Sequence, residues 1–398
     1  MRMVVGAMPV DSNLLILGGG CAGLSLGVRL SANPGRCART AIVESRSVYT
    51  NDRTWCFWKQ PSDDFASLVS HAWGTLHLRA GDRSVRVSCG ASPYQMLPSE
   101  TFYAEACRLI DQSDSVELLR GIRVTAEPRR VGSIWKVETD QGSLTARQII
   151  DTRPPGPDSP ITPTLWQSFA GQEVVCASGP FDPSSAMLMD FAEPADENIH
   201  FTYVLPITRE RALVESTVFG PRPLPACFFT ELQARAVARA CRGAAFHTLR
   251  NEHGVLPMGI TSPDAGTHAA GLVRVGVLRG AARPATGYAF GRIQRWAGHC
   301  ATALREGRPA PAHQRDRLHT GLMDSLFLKV LRARPDLAPR LFLDLFEKVE
   351  PARLIRFLSD AGTLADHAAV VAALPARRFL LALFDARAAH VSLPPGAS

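Results

Sequence analysis

A chain of 398 residues is too long for one hydrophobic core, so two or three lobes are expected. Hydrophobic residues make up 46% and charged residues 20%, which excludes a disordered chain. The net charge of +7 comes from arginines spread along the sequence rather than from a basic tail, and amounts to a modest attraction to anionic surfaces.

Nine cysteines, an odd count with no C-x-x-C pair, argue against a disulfide framework or a zinc site and fit a reducing cytoplasm. The eleven histidines have no metal-ligand spacing, so no metal is expected. No long apolar core of a signal peptide follows Arg2. No run of about 18 uninterrupted apolar residues occurs, so no transmembrane helix is expected.

Residues 13–17, "NLLIL", form a short buried strand that ends in three glycines. Cys21 to Leu30 reads as a helix and "TAIVES" (40–45) as a second buried strand, completing a βαβ unit. Gly18-x-Gly20-x-x-Gly23 therefore lies where a dinucleotide fingerprint belongs. Gly18 allows the tight turn, Gly20 lets a pyrophosphate approach the backbone, and Gly23 lets helix and strand pack closely. Glu44, 21 residues beyond Gly23, ends the second strand and is placed to hold a ribose hydroxyl.

"NDRTWCFW" (51–58) follows, an Asp52-Arg53 pair backed by Trp55, Phe57 and Trp58 and read as a buried pair that either orients a neighbouring functional group or is a structural ion pair capping a loop. Residues 72–90 read as a hairpin that either lobe could claim. A helix is predicted over 99–112 with Ser99 as its N-cap, then three short strands within 116–150. Asp151 and Arg153 are candidates to close the third strand near an adenine. From 160 to about 255, strands are predicted at "QEVVCAS", "AMLMDF", "HFTYVLPI" and "RALVESTVF", followed by a helix at 225–241.

The chain returns with a glycine-rich strand, loop and helix, Gly276 to Tyr288 and beyond, containing Gly287. Glutathione-reductase-type flavoproteins set such a late segment against the isoalloxazine, which favours FAD over NAD at the fingerprint. From about 320 the sequence is helical. Residues 321–334 put Leu322, Met323, Leu326, Phe327, Val330 and Leu331 on one face beside Lys329, Arg332 and Arg334. Similar faces recur at 340–349, 353–358 and 377–384, and suit either interfacial attachment or packing on the rest of the protein.

These pieces taken together resemble the bacterial lycopene cyclase family, flavoproteins that close β-rings on linear carotenes. The resemblance rests on "LGGGCAGLSL", "DRTWCFW", "IIDTRPPGP", "AMLMDF", "FTYVLPI" followed by "ALVEST", "GVLPMG" and "RPATGYAF", in that order over most of the chain. Arg279 and Ala285 stand where the family usually has a glycine and a serine or threonine.

The fold it implies is α/β: a glutathione-reductase-type FAD-binding Rossmann fold with an inserted mixed-sheet substrate domain and a helical C-terminal region. The expected divisions are 12–155 for the first part of the FAD domain, 156–255 for the substrate domain, 256–315 for the returning FAD segment, and 316–398 for the helical, membrane-associating region.

Ring closure adds a proton to C1=C2, lets C5=C6 attack the tertiary cation, and removes a proton from C6. Such a site needs a proton donor in an apolar slot, aromatic faces and exclusion of water. Strand alternation puts Glu215 on the face of Leu213, and the pattern alone leaves either face open to solvent. The resemblance implies that Glu215, the acid of an L-x-E-x-T motif, is the essential donor.

It also implies reduced FAD as the active cofactor with NAD(P)H as electron source, the flavin either stabilising the cation or relaying a proton. Gly18, Gly20, Gly23, Glu44, Arg53 and Gly287 are the expected cofactor residues. Trp55, Trp58, Tyr203 and Tyr288 are candidate substrate-lining residues. Lycopene or a related linear carotene, a membrane surface on the cytoplasmic side and no nucleic acid are the expected partners. The competing reading is a flavin-dependent monooxygenase or reductase acting on an isoprenoid, distinguishable by a product of changed mass. A non-catalytic carotenoid-binding flavoprotein is the third.

Overall fold

The structure is a computed structural model that describes residues 11–32, 39–59, 65–155, 162–193, 196–260, 269–375 and Phe379. Its first sheet has the strand Ser12–Leu17 at its centre, parallel to Thr40–Glu44 on one side and Gly142–Asp151 on the other. Val116–Arg120 extends one edge in parallel, and Leu272–Arg274 pairs in parallel with the end of Gly142–Asp151. The early residues of Gly142–Asp151 instead carry an antiparallel meander of Ile134–Thr139 and Arg129–Val131.

Leu14 to Leu17 are at most 1% exposed, because both faces of this sheet are covered. Leu14 and Ile16 face the helices Cys21–Ala32, Ser99–Asp111 and Phe290–Arg305. Leu15 and Leu17 face a cluster with Trp135, Val137 and Ile149. The span predicted to hold three strands thus holds four, since Arg129–Val131 is short, exposed and arginine-rich and has no apolar alternation.

The second sheet is seven-stranded, in the order His247–Met258, Leu165–Val175, Arg211–Gly220, Ile199–Pro206, Ser185–Phe191, Thr75–Ala80 and Arg83–Ser88. The hairpin of residues 75–88 forms its far edge, joined in parallel to Ser185–Phe191. One face packs on the helix Phe229–Ala240 through Val174, Ala212, Val214, Ala236 and Val237. The other face carries Leu205, Leu213 and Phe201 into a large core shared with Trp58, Trp73, Tyr94 and the C-terminal helices. The strand His247–Met258 was not foreseen. Its "HTLRNEHGVLPM" has polar residues, a glycine and a proline where apolar alternation would mark a strand.

A three-stranded sheet, Thr54–Trp58, Tyr94–Pro98 and His71–Trp73, lies between the two lobes. The period of two splits the aromatic stretch between them. Trp55 and Phe57 enter the core of the first lobe, while Cys56 and Trp58 enter that of the second. Ser99, expected as an N-cap, is the first residue of its helix; Pro98 holds the cap position, and Ser99 Oγ bonds Asp52 Oδ1 at 3.0 Å.

The C-terminal helices Leu318–Ala333, Ala338–Lys348 and Pro351–Leu358 send most of their apolar faces inward: Leu328, Val330, Leu331, Leu341, Leu345, Phe346, Leu354 and Ile355 are buried in the second lobe's core. Leu318, Leu322, Leu364 and Val371 remain more than half exposed. Of the predicted apolar segment at 377–384, only Phe379 lies within the described residues. No helix among the described residues is long and apolar enough to cross a membrane.

The late loop is fastened to these helices by Arg283, which is 1% exposed. Its Nε and Nη2 bond the two oxygens of buried Asp324 at 3.1 Å each, its Nη1 bonds the Phe357 carbonyl, and its guanidinium lies 4.3 Å from the Phe357 ring centroid.

Candidate active site

The glycine turn has the geometry of a phosphate cradle. Gly18 has φ +97°, a left-handed conformation that favours glycine. A Cβ at Gly23 would lie 2.0 Å from the Gly18 carbonyl oxygen, so any side chain there would separate helix from strand. A Cβ at Gly20 would meet nothing within 4 Å, leaving its backbone open at the start of the helix Cys21–Ala32. Backbone N–H groups and the positive end of the helix dipole thus border a free space, which fits a pyrophosphate.

Glu44 is buried at the end of its strand and accepts from Gly19 N at 2.7 Å and from Arg46 Nε at 3.0 Å. Burial alone would push its carboxyl up. The hydrogen bonds and charge of Arg46, with the Gly19 N–H, hold it below the usual value. It is therefore a carboxylate able to accept from sugar hydroxyls. Thr152 backs the turn by bonding the Leu17 and Gly18 carbonyls, and Asp151 pairs with Arg153 at 2.8 Å.

Asp52 and Arg53 pair at 2.9 Å, but not as a buried pair, since the Arg53 side chain is 56% exposed. Ser99 and Tyr103 hydrogen-bond Asp52, leaving the Arg53 guanidinium on the open side of the strand. Its charge acts on Cys21, the first residue of the fingerprint helix. Gly287 has φ +72° and faces the second lobe, where a Cβ would come 3.0 Å from Gln167 Oε1. That oxygen is buried and has no hydrogen-bond partner among the described residues.

Glu215 lies in the middle of Arg211–Gly220. Its register partners are Tyr203 on one neighbouring strand and Gly171 on the other, and Gly171 in turn opposes Glu252. Tyr203, Glu215, Gly171 and Glu252 thus form one row on one face across four strands. This face looks inward, toward the core shared with Trp58 and Tyr94, with Gly171 and Glu252 buried and Glu215 and Tyr203 half-buried.

Thr217 Oγ1 donates to Glu215 Oε1 at 2.9 Å, and the Glu215 carboxyl meets that of Glu252. Burial first, and then the Glu252 charge, push the Glu215 carboxyl well above the ordinary carboxylate range; the Thr217 hydrogen bond and the Arg250 charge only partly oppose this. From the opposite face, Gln233 holds the backbone on both sides of Glu215. It donates to the Val214 carbonyl at 2.7 Å and accepts from Ser216 N at 3.1 Å.

Glu252 was not a candidate from sequence. It is 6% exposed, and its Oε2 accepts from Arg250 Nη1 at 2.7 Å and from Thr54 Oγ1 at 2.9 Å. Arg250 also donates to Thr54 Oγ1 at 2.6 Å and to Glu173 Oε2 at 2.7 Å. Thr54 opens the aromatic stretch, so that strand is tied directly to the row of carboxyls. The available signal was Arg250-x-Glu252, two charges at a spacing of two, which a strand puts on one face.

Aromatic rings pack beside this row. Trp58 lies 4.9 Å from Tyr94 and 5.3 Å from Tyr288, centroid to centroid, and the Tyr94 and Tyr288 hydroxyls are 3.4 Å apart. Burial raises the Tyr94, Tyr203 and Tyr288 phenols and the Cys56 thiol, so all four stay neutral at physiological pH. Trp58, Tyr203 and Tyr288 therefore gather with Glu215. Trp55 does not join them, because it lies on the other face of its strand against Phe102, Tyr103 and Phe290.

An apolar cavity of about 290 Å³ lies between the late loop and the C-terminal helices, lined by Ala285, Thr286, Met323, Phe327, Leu374 and Phe379 among others. A larger cleft of about 520 Å³ is bordered by Arg292, which pairs with Asp316 and Asp360, and this polar lining does not suit a hydrocarbon.

Solved structures similar to the chain show its fold. The p-nitrophenol 4-monooxygenase PnpA of Pseudomonas putida matches with a TM-score of 0.62 at 13% identity, over 89% of this chain and 99% of that one. The halogenase PltM in complex with phloroglucinol and FAD matches with 0.57 at 13% identity, over 91% and 85%. The fold is accordingly an α/β, glutathione-reductase-type FAD-binding Rossmann fold, with a mixed second sheet and C-terminal helices.

Within that fold, the family model for lycopene cyclase protein matches residues 13–387, and the chain belongs to this family. An uncharacterized carotenoid cyclase of Deinococcus radiodurans is 26% identical over 322 residues, covering 76% of this chain and 74% of the relative. A lycopene beta-cyclase of Pantoea ananas is 24% identical over 287 residues, covering 70% and 71%. Membership supports an enzyme of carotenoid biosynthesis that acts on a carotene.

Proposed function

We propose that the protein closes β-rings on the linear ends of lycopene or a related carotene in a redox-neutral, acid–base reaction, which makes it an isomerase. The observation that carries this reading is Glu215. It is a glutamate on an inward strand face whose carboxyl is pushed toward its protonated form, in a chain of the lycopene cyclase family.

Glu215 gives its proton to C2 of the terminal C1=C2 bond, using that π pair and leaving a tertiary cation at C1. The C5=C6 π pair forms the C1–C6 bond and moves the charge to C5. Loss of the C6 proton restores C5=C6 within the ring, so substrate and product are isomers. Trp58, Tyr203 and Tyr288 offer aromatic faces to the cation, and the packed boundary between the lobes keeps out water that would trap it. Tyr203 stands directly opposite Glu215 in register, close to where charge develops.

FAD is the proposed cofactor. Its pyrophosphate would lie on the Gly18–Gly23 turn and its ribose on Glu44, with Arg53 and Gly287 on the side toward the second lobe. Reduced with electrons from NAD(P)H, the bound flavin supplies an electron-rich ring that favours nearby positive charge. Substrate enters from a membrane surface on the cytoplasmic side. Exposed Leu318 and Leu322 would dip into the interface, and the apolar cavity beside Phe327 would receive the chain.

The test is expression in lycopene-accumulating bacteria, followed by chromatography of the pigments. Conversion of lycopene to γ- and β-carotene of unchanged mass is expected. Unchanged lycopene with verified flavin loading, or a product heavier by oxygen or hydrogen, sinks the proposal.

A further inference from the structure

We infer that Glu252 is a positioning residue for Glu215: the two carboxyls meet over the bare backbone of Gly171 and share one proton. This rests on the reading of Glu215 as the proton donor.

Glu215 and Glu252 are on the two strands that flank Leu165–Val175, so about 10 Å of sheet separates their backbones. Gly171 stands between them in register with both. A Cβ there would come 2.9 Å from Glu252 Cγ and 3.2 Å from Glu252 Oε1, so the Glu252 side chain occupies the space that any other residue would fill. It lies across the middle strand toward Glu215. Arg250 and Thr54 hold its Oε2, at 2.7 and 2.9 Å, and fix the direction in which the carboxyl points.

The charged and titratable groups around Glu215 on this face are Glu252 and Arg250 from one edge, Glu173 from the middle strand, Tyr203 from the other side, and Cys56 from the aromatic strand. Cys56 and Tyr203 are neutral, and Arg250 is engaged by Glu173 as well as by Glu252. The strongest charge acting on Glu215 is therefore a like charge, which Arg250 and the Thr217 hydrogen bond oppose only in part, and two carboxyls in contact hold one proton between them.

The consequence for the reaction is directional. Before turnover the shared proton is on Glu215, available to C2. After donation two adjacent carboxylates remain, and the proton leaving C6 relieves their repulsion by returning to Glu215. The proton given at the first step is thus replaced at the last, with no net change in the enzyme.

The test uses the flavin-loaded protein and two readouts. The first is an infrared titration of the protonated carboxyl band that disappears in Glu215→Gln. In Glu252→Gln this band should be lost at lower pH than in wild type, by about one unit or more, the usual effect of removing a neighbouring like charge. Glu252→Asp keeps the charge and should restore much of the shift. Gly171→Ala keeps both acids but displaces Glu252, and should lower the titration as Glu252→Gln does.

The second readout is the alkaline limb of kcat, which should move with the band while KM for the carotene stays within about twofold. An unmoved band in Glu252→Gln and Gly171→Ala, or equal behaviour of Glu252→Gln and Glu252→Asp, overturns the inference. If the band shifts as expected but the wild-type protein leaves lycopene unchanged, the carboxyl pair stands and the proposed function falls.

Discussion

Glu44 and Glu215 are both strand glutamates set among apolar neighbours, yet their surroundings drive them to opposite protonation states. Beside Glu44 the chain places Arg46 and the Gly19 N–H, so the carboxyl is held low and acts as an acceptor. Beside Glu215 it places a second glutamate and an apolar face, so the carboxyl is held high, in the form that the proposed donor role requires. Burial works in the same direction at both sites. The sign of the nearest charge separates the group proposed to bind from the one proposed to react.

The largest effect that tests this contrast is at Glu215 itself. Glu215→Gln keeps the shape and removes the transferable proton, so ring closure should fall by about 10²- to 10⁴-fold, the usual worth of a positioned general acid. Flavin loading should not change. Pigment analysis and flavin absorbance check the two together, and a variant that still forms β-carotene at the wild-type rate removes Glu215 from the chemistry.

The same substitution makes an opposite prediction for stability. The folded-state value of Glu215 is raised, so between the unfolded value near 4.3 and that raised value the folded protein binds the extra proton. Stability is therefore lost as pH rises through that window. Glu215→Gln removes the loss, and its thermal midpoint should exceed that of wild type at neutral pH and converge with it near pH 4. Activity, which needs the protonated acid, should decline on the alkaline side.

The matched pair Arg283–Asp324 shows what burial demands where signs are opposite. Both residues are at most 2% exposed, and Asp324→Ala strands a buried guanidinium. The expected loss is about 3–5 kcal/mol, read by denaturant unfolding. A double change to apolar residues of similar size should recover most of it. If the single variant loses less than about 1 kcal/mol, Arg283 does not fasten the late loop to the helices.

The two acids also differ in how readily they are read from sequence. Glu44 is legible because its setting is local: strand, glycine turn, helix, strand, acid, within about thirty residues. The alternation that puts Glu215 on a face with Leu213 is legible too, but not which face is covered. That depends on Trp58, Tyr94 and the C-terminal helices, which come from distant parts of the chain. Glu252 and Gly171 were missed because their meaning arises only in register across three strands, and the Glu252 strand lacks apolar alternation. The aromatic stretch was recognisable as unusual, but its division between two cores follows from a strand pairing with Tyr94–Pro98 that composition does not announce.

The smallest expected effect is at Glu44. Glu44→Gln keeps an acceptor oxygen and loses the charge, so flavin affinity should weaken by about tenfold, close to the worth of one charge-assisted hydrogen bond. With flavin in excess, kcat should be restored, because the acid that reacts is untouched. The depressed value of Glu44 makes its contribution present above the ordinary glutamate range and lost as pH falls through that depressed value. Wild-type cofactor binding should thus fail at the acid extreme, whereas turnover fails at the alkaline one. Fluorescence titration of flavin against pH, run beside turnover on the same preparation, separates the limbs. If both are lost on the same side, the assignment of one glutamate as acceptor and the other as donor cannot stand.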